Sequence, residues 1–165
     1  MNTNALHRQV DQTEIRVMQS AVMLVLAAGF VSDLWQVIAF QVGVFLVTII
    51  SPALNPFIIL YRFALRPSGM MKPDWRHDNM EAHRFASMVG FAISSAAIWF
   101  LYTGQTLIGW SLVWLILAFG VLALSGWCAG CFAYYMIQKT GHKGYFKHAP
   151  IEGTFPGARP PGQHR

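Results

Sequence analysis

The residues with the clearest capacity for chemistry are Cys128 and Cys131, the only cysteines of the chain, in Ser125-Gly126-Trp127-Cys128-Ala129-Gly130-Cys131. Two thiols at C-x-x-C spacing can alternate between a dithiol and a disulfide, or carry sulfur. A plainer role competes with this. Cysteine is also a small buried hydrophobe. Gly126 and Gly130, with Ser125, Ala129 and Ala133, supply the small-residue face on which membrane helices pack closely. On a regular helix, side chains three apart have Cβ atoms about 5 to 6 Å from each other, whereas a disulfide needs about 3.8 Å. The helix would have to distort. Placement toward a helix C-terminus would also raise a thiol pKa. Residue types alone leave redox chemistry and packing both open. A zinc site adding His142 and His148 is disfavoured, since the cysteines belong to an apolar stretch and the histidines to a Gly-rich tail.

A second group is Asp78, Glu81, His83 and Arg84. Its acid, base and cation read first as a solvated start of a helix, capped by Asp78 or Asn79. Gln36, Gln41, Ser94 and Ser95 lie in apolar surroundings and are expected to bond between helices. All six histidines (His7, His77, His83, His142, His148, His164) fall outside the expected spans, which argues against bis-histidine haem. No phosphate-binding glycine loop, HExxH or GxSxG occurs. No cofactor and no metal is implied, and the sequence leaves open whether the protein is an enzyme.

The elements that must position these groups are dictated by composition. Of 165 residues, 55% are hydrophobic and 12% charged, against about 25% charged in soluble domains. This disfavours a soluble enzyme, a disordered protein and a disulfide-rich secreted module. Uncharged runs predict spans at about 17–33, 35–61, 85–103 and 110–137. Pro52 and Pro56 predict a bend late in the second. From Phe85 to Gln138 the chain is uncharged, which as one helix would reach about 80 Å. It must therefore break, best near Tyr102 to Gly109, where glycine and small polar residues gather.

Lys and Arg set the expected topology. They lie before the first span (Arg8, Arg16), between the second and third (Arg62, Arg66, Lys72, Arg76, Arg84) and after the fourth (Lys139, Lys143, Lys147, Arg159, Arg165). The positive-inside rule then places both termini and the central loop in the cytoplasm. The net charge of +5 is thereby a topology signal and not a nucleic-acid footprint. The expected fold is an all-α, integral membrane four-helix bundle in the bacterial inner membrane. It has a cytoplasmic segment 1–16, a transmembrane domain 17–138 and a flexible basic tail 139–165. The charged leader before the first span argues against a cleaved signal peptide. Trp35, Trp99, Trp110 and Trp114 read as outer-interface anchors.

The order of several motifs resembles a family of small bacterial four-helix membrane proteins known as a domain of unknown function. They are Phe40-Gln41, Ser51-Pro52 with Tyr61-Arg62, Asp78 with His83-Arg84-Phe85-Ala86, and Cys128-Ala129-Gly130-Cys131 followed by Tyr134. The resemblance covers about Phe40 to Ile137, and this chain departs from the pattern by lacking a proline between Asp78 and His83. It implies a plasma-membrane protein with a link to thioredoxin-like or sulfur-transfer proteins.

Two functions are therefore expected. In the first, Cys128 and Cys131 form a thiol pair exchanging electrons or sulfane sulfur with such a partner. Cys131, counted as nearer the surface, attacks first, Cys128 resolves, and the region of His83 and Arg84 docks the partner. In the second, the chain is a non-catalytic accessory or assembly subunit of a respiratory or photosynthetic complex, packing through Gly126 and Gly130.

Overall fold

The computed structural model describes residues 8–69, 71–78, 80–139 and 157–159. The chain is mostly helical. A short strand β1 (Arg8–Asp11) leads into α1 (Gln12–Val31) and, after a tight turn, α2 (Trp35–Ile50). A 3-10 turn (Pro52–Leu54), α3 (Pro56–Leu60) and a π-turn (Tyr61–Leu65) follow. Then come β2 (Trp75–Asp78), α4 (Met80–Tyr102), α5 (Thr106–Ser125) and α6 (Ala129–Lys139). The strands pair antiparallel, with Arg8 opposite Asp78 and Asp11 opposite Trp75, a small exception to an all-α chain.

Helices α1, α4 and α5 are long and apolar enough to cross a membrane. They turn large apolar side chains outward, including Leu24 at 72% exposure, Trp99 at 66% and Leu107 at 81%. In water such a surface would drive aggregation; against lipid it is the favoured one. α1 packs on α2 and α5, and α4 packs on α2, α5 and α6. Their shared core is Leu26, Ile38, Ala97, Val113, Ile116 and Leu117.

The boundaries depart from expectation where polar residues do structural work. α1 starts before the apolar run because Asp11 caps it, accepting from the Thr13 N–H at 2.9 Å. The second expected span stops at Ile50, since Pro52 offers no N–H to continue the ladder. The carbonyl of Ile49 is bonded instead by the Arg84 guanidinium at 2.6 Å. Asn55 restarts the helix, accepting from the Phe57 N–H at 2.8 Å while donating to Thr48 Oγ1 at 2.7 Å.

The expected break after Tyr102 is present, with Thr106 beginning α5. The fourth span, expected to run to 137, is a correction. It ends at Ser125, because Gly126 adopts φ of 109°, the left-handed region that terminates helices. α6 is a separate helix. The expected tail 139–165 lies largely outside the described residues, as do Asn79, His142 and His148. Lys139 ends α6, and residues 157–159 of the tail pair with the segment after α5. Arg159 N–H donates to the Gly126 carbonyl at 2.8 Å, and Ala158 bridges Trp127.

Candidate functional site

The break at Gly126 decides the chemistry of the thiols. It puts Cys128 immediately before α6, where its sulfur takes the place of an N-cap oxygen and accepts the Cys131 N–H at 3.2 Å. The pair therefore occupies a helix N-terminus, not the C-terminal stretch expected from a continuous helix. Here the free backbone donors and the positive end of the helix dipole favour a thiolate. The regular i, i+3 geometry that opposed a disulfide no longer applies, because Cys128 lies outside the helix. Both thiols are free.

The order of exposure is also reversed. Cys131 is 5% exposed, whereas Cys128 is only partly buried. The hydrogen bond from the Cys131 side chain pulls Cys128 down to about 6, burial opposes it, and the neighbouring His83 and the N–H groups of Cys131 and Gly130 assist. Cys131 is pushed up, first by donating that bond and then by burial. The two shifts favour the thiolate at Cys128 over Cys131, whereas the count along the helix axis expects Cys131 to attack first.

His83 completes the arrangement. Because α4 begins at Met80, His83 lies in its first turn and not in a loop. Its Nδ1 approaches Cys131 Sγ at 3.8 Å, and its Nε2 lies 2.9 Å from Asp78 Oδ2. Asp78 also accepts from Gln12 Nε2 at 2.6 Å. A carboxylate fixing one imidazole nitrogen leaves the other aimed at a thiol, the orientation a proton carrier needs. Asp78 is 8% exposed, so the solvated helix start expected for it is incorrect. Beside the thiols, Tyr134 donates to Glu81 at 3.3 Å and its ring packs on Phe85.

Each of the other predicted residues has a defined place. Gly130 lies against α4, where an added Cβ would come within 2.6 Å of the Ala86 Cβ. Gly126 serves as the helix terminator with open space around it. The two flank the break, so they do not form one face of a helix, and their small size is accounted for within this chain. Arg84 is bonded to α2 carbonyls and does not join the thiols. Sequence reasoning missed Gln12, Gly157 and Arg159. Gln12 falls in the segment 1–16 that the sequence places before the first span. Gly157 bonds the Cys128 N–H through its carbonyl at 2.8 Å. Together with Tyr135, Gln12, Gly157 and Arg159 line a polar vestibule that opens onto Cys128 and His83.

The cluster gathers Asp78, His83, Ala86, Cys128, Gly130, Cys131 and Tyr134 from two distant stretches of sequence. The model of a domain of unknown function, DUF4395, matches residues 10–139. The chain belongs to this family. The DUF4395 match reaches back past Phe40 to the strand and cap that carry Asp11 and Gln12. No curated protein and no solved structure matches the chain.

Proposed function

We propose that this DUF4395 protein is a multi-pass protein of the bacterial cytoplasmic membrane, with α1, α2, α4 and α5 as spans and both termini cytoplasmic. Its thiol pair exchanges electrons or sulfane sulfur with a thioredoxin-like or sulfur-transfer protein. The observation that carries this reading is the Cys128 sulfur at the N-terminus of α6, bonded to the Cys131 N–H, with a carboxylate-held imidazole beside Cys131. The basic residues clustered at the thiol end support the cytoplasmic placement. In that compartment the resting pair is the dithiol.

In exchange, the Cys128 thiolate attacks a disulfide sulfur of the partner, forming a mixed disulfide and expelling one partner thiolate. His83 takes the Cys131 proton, and the Cys131 thiolate attacks Cys128 Sγ. The second partner thiolate leaves, the Cys128–Cys131 disulfide forms, and two electrons have passed to the partner. The reverse sequence returns them. With a partner persulfide, Cys128 takes the terminal sulfur and the partner leaves as a thiolate. Attack by Cys131 on Cys128 Sγ then releases hydrosulfide.

The test is trapping. Cys131→Ser in the full-length protein should accumulate a mixed disulfide or persulfide on Cys128, identified by mass spectrometry, whereas Cys128→Ser should not. If neither variant captures a partner and the double variant grows normally under thiol and sulfur stress, the reading fails.

A further inference from the structure

We propose that Cys128 is reached from the membrane side as well, by a lipid-soluble quinone that occupies an apolar crevice between α1, α2, α4 and α5 and oxidises the thiol pair. This rests on the thiol-exchange reading and adds the electron acceptor. The crevice is open on one side and holds a cavity of about 130 Å³. Met18, Val22, Phe45, Ile93 and Phe119 make its walls. Its polar residues are Gln19, His83, Ser87 and Cys128. His83 and Ser87 lie in the first two turns of α4, whereas Val89, Gly90 and Ile93 follow deeper along the same helix. From His83 to Ile93 the crevice extends about 15 Å along α4. Its shape in chemical terms is a polar head site with an apolar tail channel.

Gln19, His83, Ala123 and Cys128 line both this crevice and the polar vestibule. The thiol thus stands at the junction of a water-side opening for a protein partner and a lipid-side opening for an apolar one. The occupant's head must be neutral, because among the described residues no Lys or Arg lines the crevice to receive a carboxylate or phosphate. It must also hydrogen-bond, because Gln19 Oε1 is buried there with no partner among the described residues. A quinone–quinol couple meets both demands: the ring is neutral in either state, the quinone accepts the electrons a dithiol gives, and the quinol formed has a hydroxyl to donate to Gln19 Oε1.

The step balances. The Cys128 thiolate and the Cys131 thiol lose two electrons in forming their disulfide. The quinone gains them together with two protons, one from Cys131 and one from the vestibule by way of His83, and leaves as the quinol. A partner dithiol then restores the Cys128–Cys131 dithiol, so electrons pass from the partner to the quinone.

The experiment uses the reduced full-length protein in phosphatidylcholine vesicles without oxygen. The probes are a decyl-tailed benzoquinone, its tail-less parent and bis(hydroxyethyl) disulfide. One quinone should be reduced for each thiol pair lost, with the tailed probe faster by at least about tenfold, since each buried methylene favours binding. Met18→Trp and Val89→Trp, which narrow the channel, should each lower the tailed-quinone rate relative to the soluble-disulfide rate of the same sample. Either variant suffices if the other fails to fold. A tail preference that persists undiminished in the narrowed variants reflects partition into lipid and overturns the proposal. So does a pair that reacts with the soluble disulfide but not with quinone, which leaves the thiol-exchange reading standing. A pair inert to both overturns both.

Discussion

A Cys128 thiolate at neutral pH is the residue-scale property on which the proposed thiol exchange depends, and it has a direct signature. Because Cys128 is held at about 6, its alkylation by iodoacetamide should rise as pH passes about 6 and level off above neutrality, whereas an ordinary thiol is still gaining rate near pH 8.5. The sign follows from the thiolate being the reacting form. Cys131→Ala removes the largest lowering influence, the Cys131 side-chain bond. It should move the midpoint upward, and an unchanged midpoint would refute the assignment of Cys128 as the activated sulfur. Asp78→Asn keeps the size of the side chain but weakens its hold on His83 Nε2. It should slow closure of the disulfide, followed by quenched-flow alkylation, by about tenfold or more while first attack at Cys128 continues.

At the scale of elements, neighbouring residues of one helix do different work, and substitution separates them. His83 faces Cys131, whereas Arg84 bonds the Ile49 carbonyl that the Pro52 break leaves without its usual donor. Arg84→Gln should lower thermal stability in detergent by about 1 to 3 kcal/mol without moving the Cys128 midpoint. His83→Ala should raise that midpoint. If Arg84→Gln shifts it as much as His83→Ala does, the division of labour is wrong. The close approach of α6 to α4 gives a second measure. Gly130→Leu must push a side chain into Ala86 and should cost about 1 to 3 kcal/mol. It should also slow disulfide closure, because α6 carries Cys131.

For the whole molecule, the proposal requires the thiol end of the bundle to face the cytoplasm. Reporter fusions after Gly69 and Lys139 should read cytoplasmic, and those after Asp33 and Gln105 external. The turns at Asp33 and Gln105 share one end, where Trp110 Nε1 donates to Asp33 at 3.0 Å and Trp35 packs edge-on against Tyr102. A cytoplasmic signal after Gln105 would overturn the topology. The described part of the tail belongs to the opposite end. There Gly157 sits against the Cys128 carbonyl and Phe132, so tightly that an added Cβ would come within 2.9 Å of both. Truncation after residue 156 should therefore speed alkylation of Cys128 at saturating pH. An unchanged rate would show that these residues do not cover it.

Much of this was legible from sequence because hydropathy acts locally. Stretches free of charge, such as Leu107 to Ser125, are helices in lipid wherever they pack, and Tyr102 to Gln105 is a turn because its glycine and polar residues suit nothing else there. The helix ends were less legible. Asp11 and Gly126 act through a cap and a backbone angle, and neither changes mean polarity over a window. The site was legible only as parts. C-x-x-C spacing named the thiols but carried no information on whether Gly126 would end a helix before them, and that single φ turns a disfavoured C-terminal stretch into an activating N-terminus. Asp78 and His83 read as solvated charges because their burial comes from elements distant in sequence, Gln12 in α1 and Cys131 in α6. Burial and hydrogen-bond pairing are properties of the packed chain, so the tertiary structure alone decided which sulfur caps α6, which is buried, and what stands beside them.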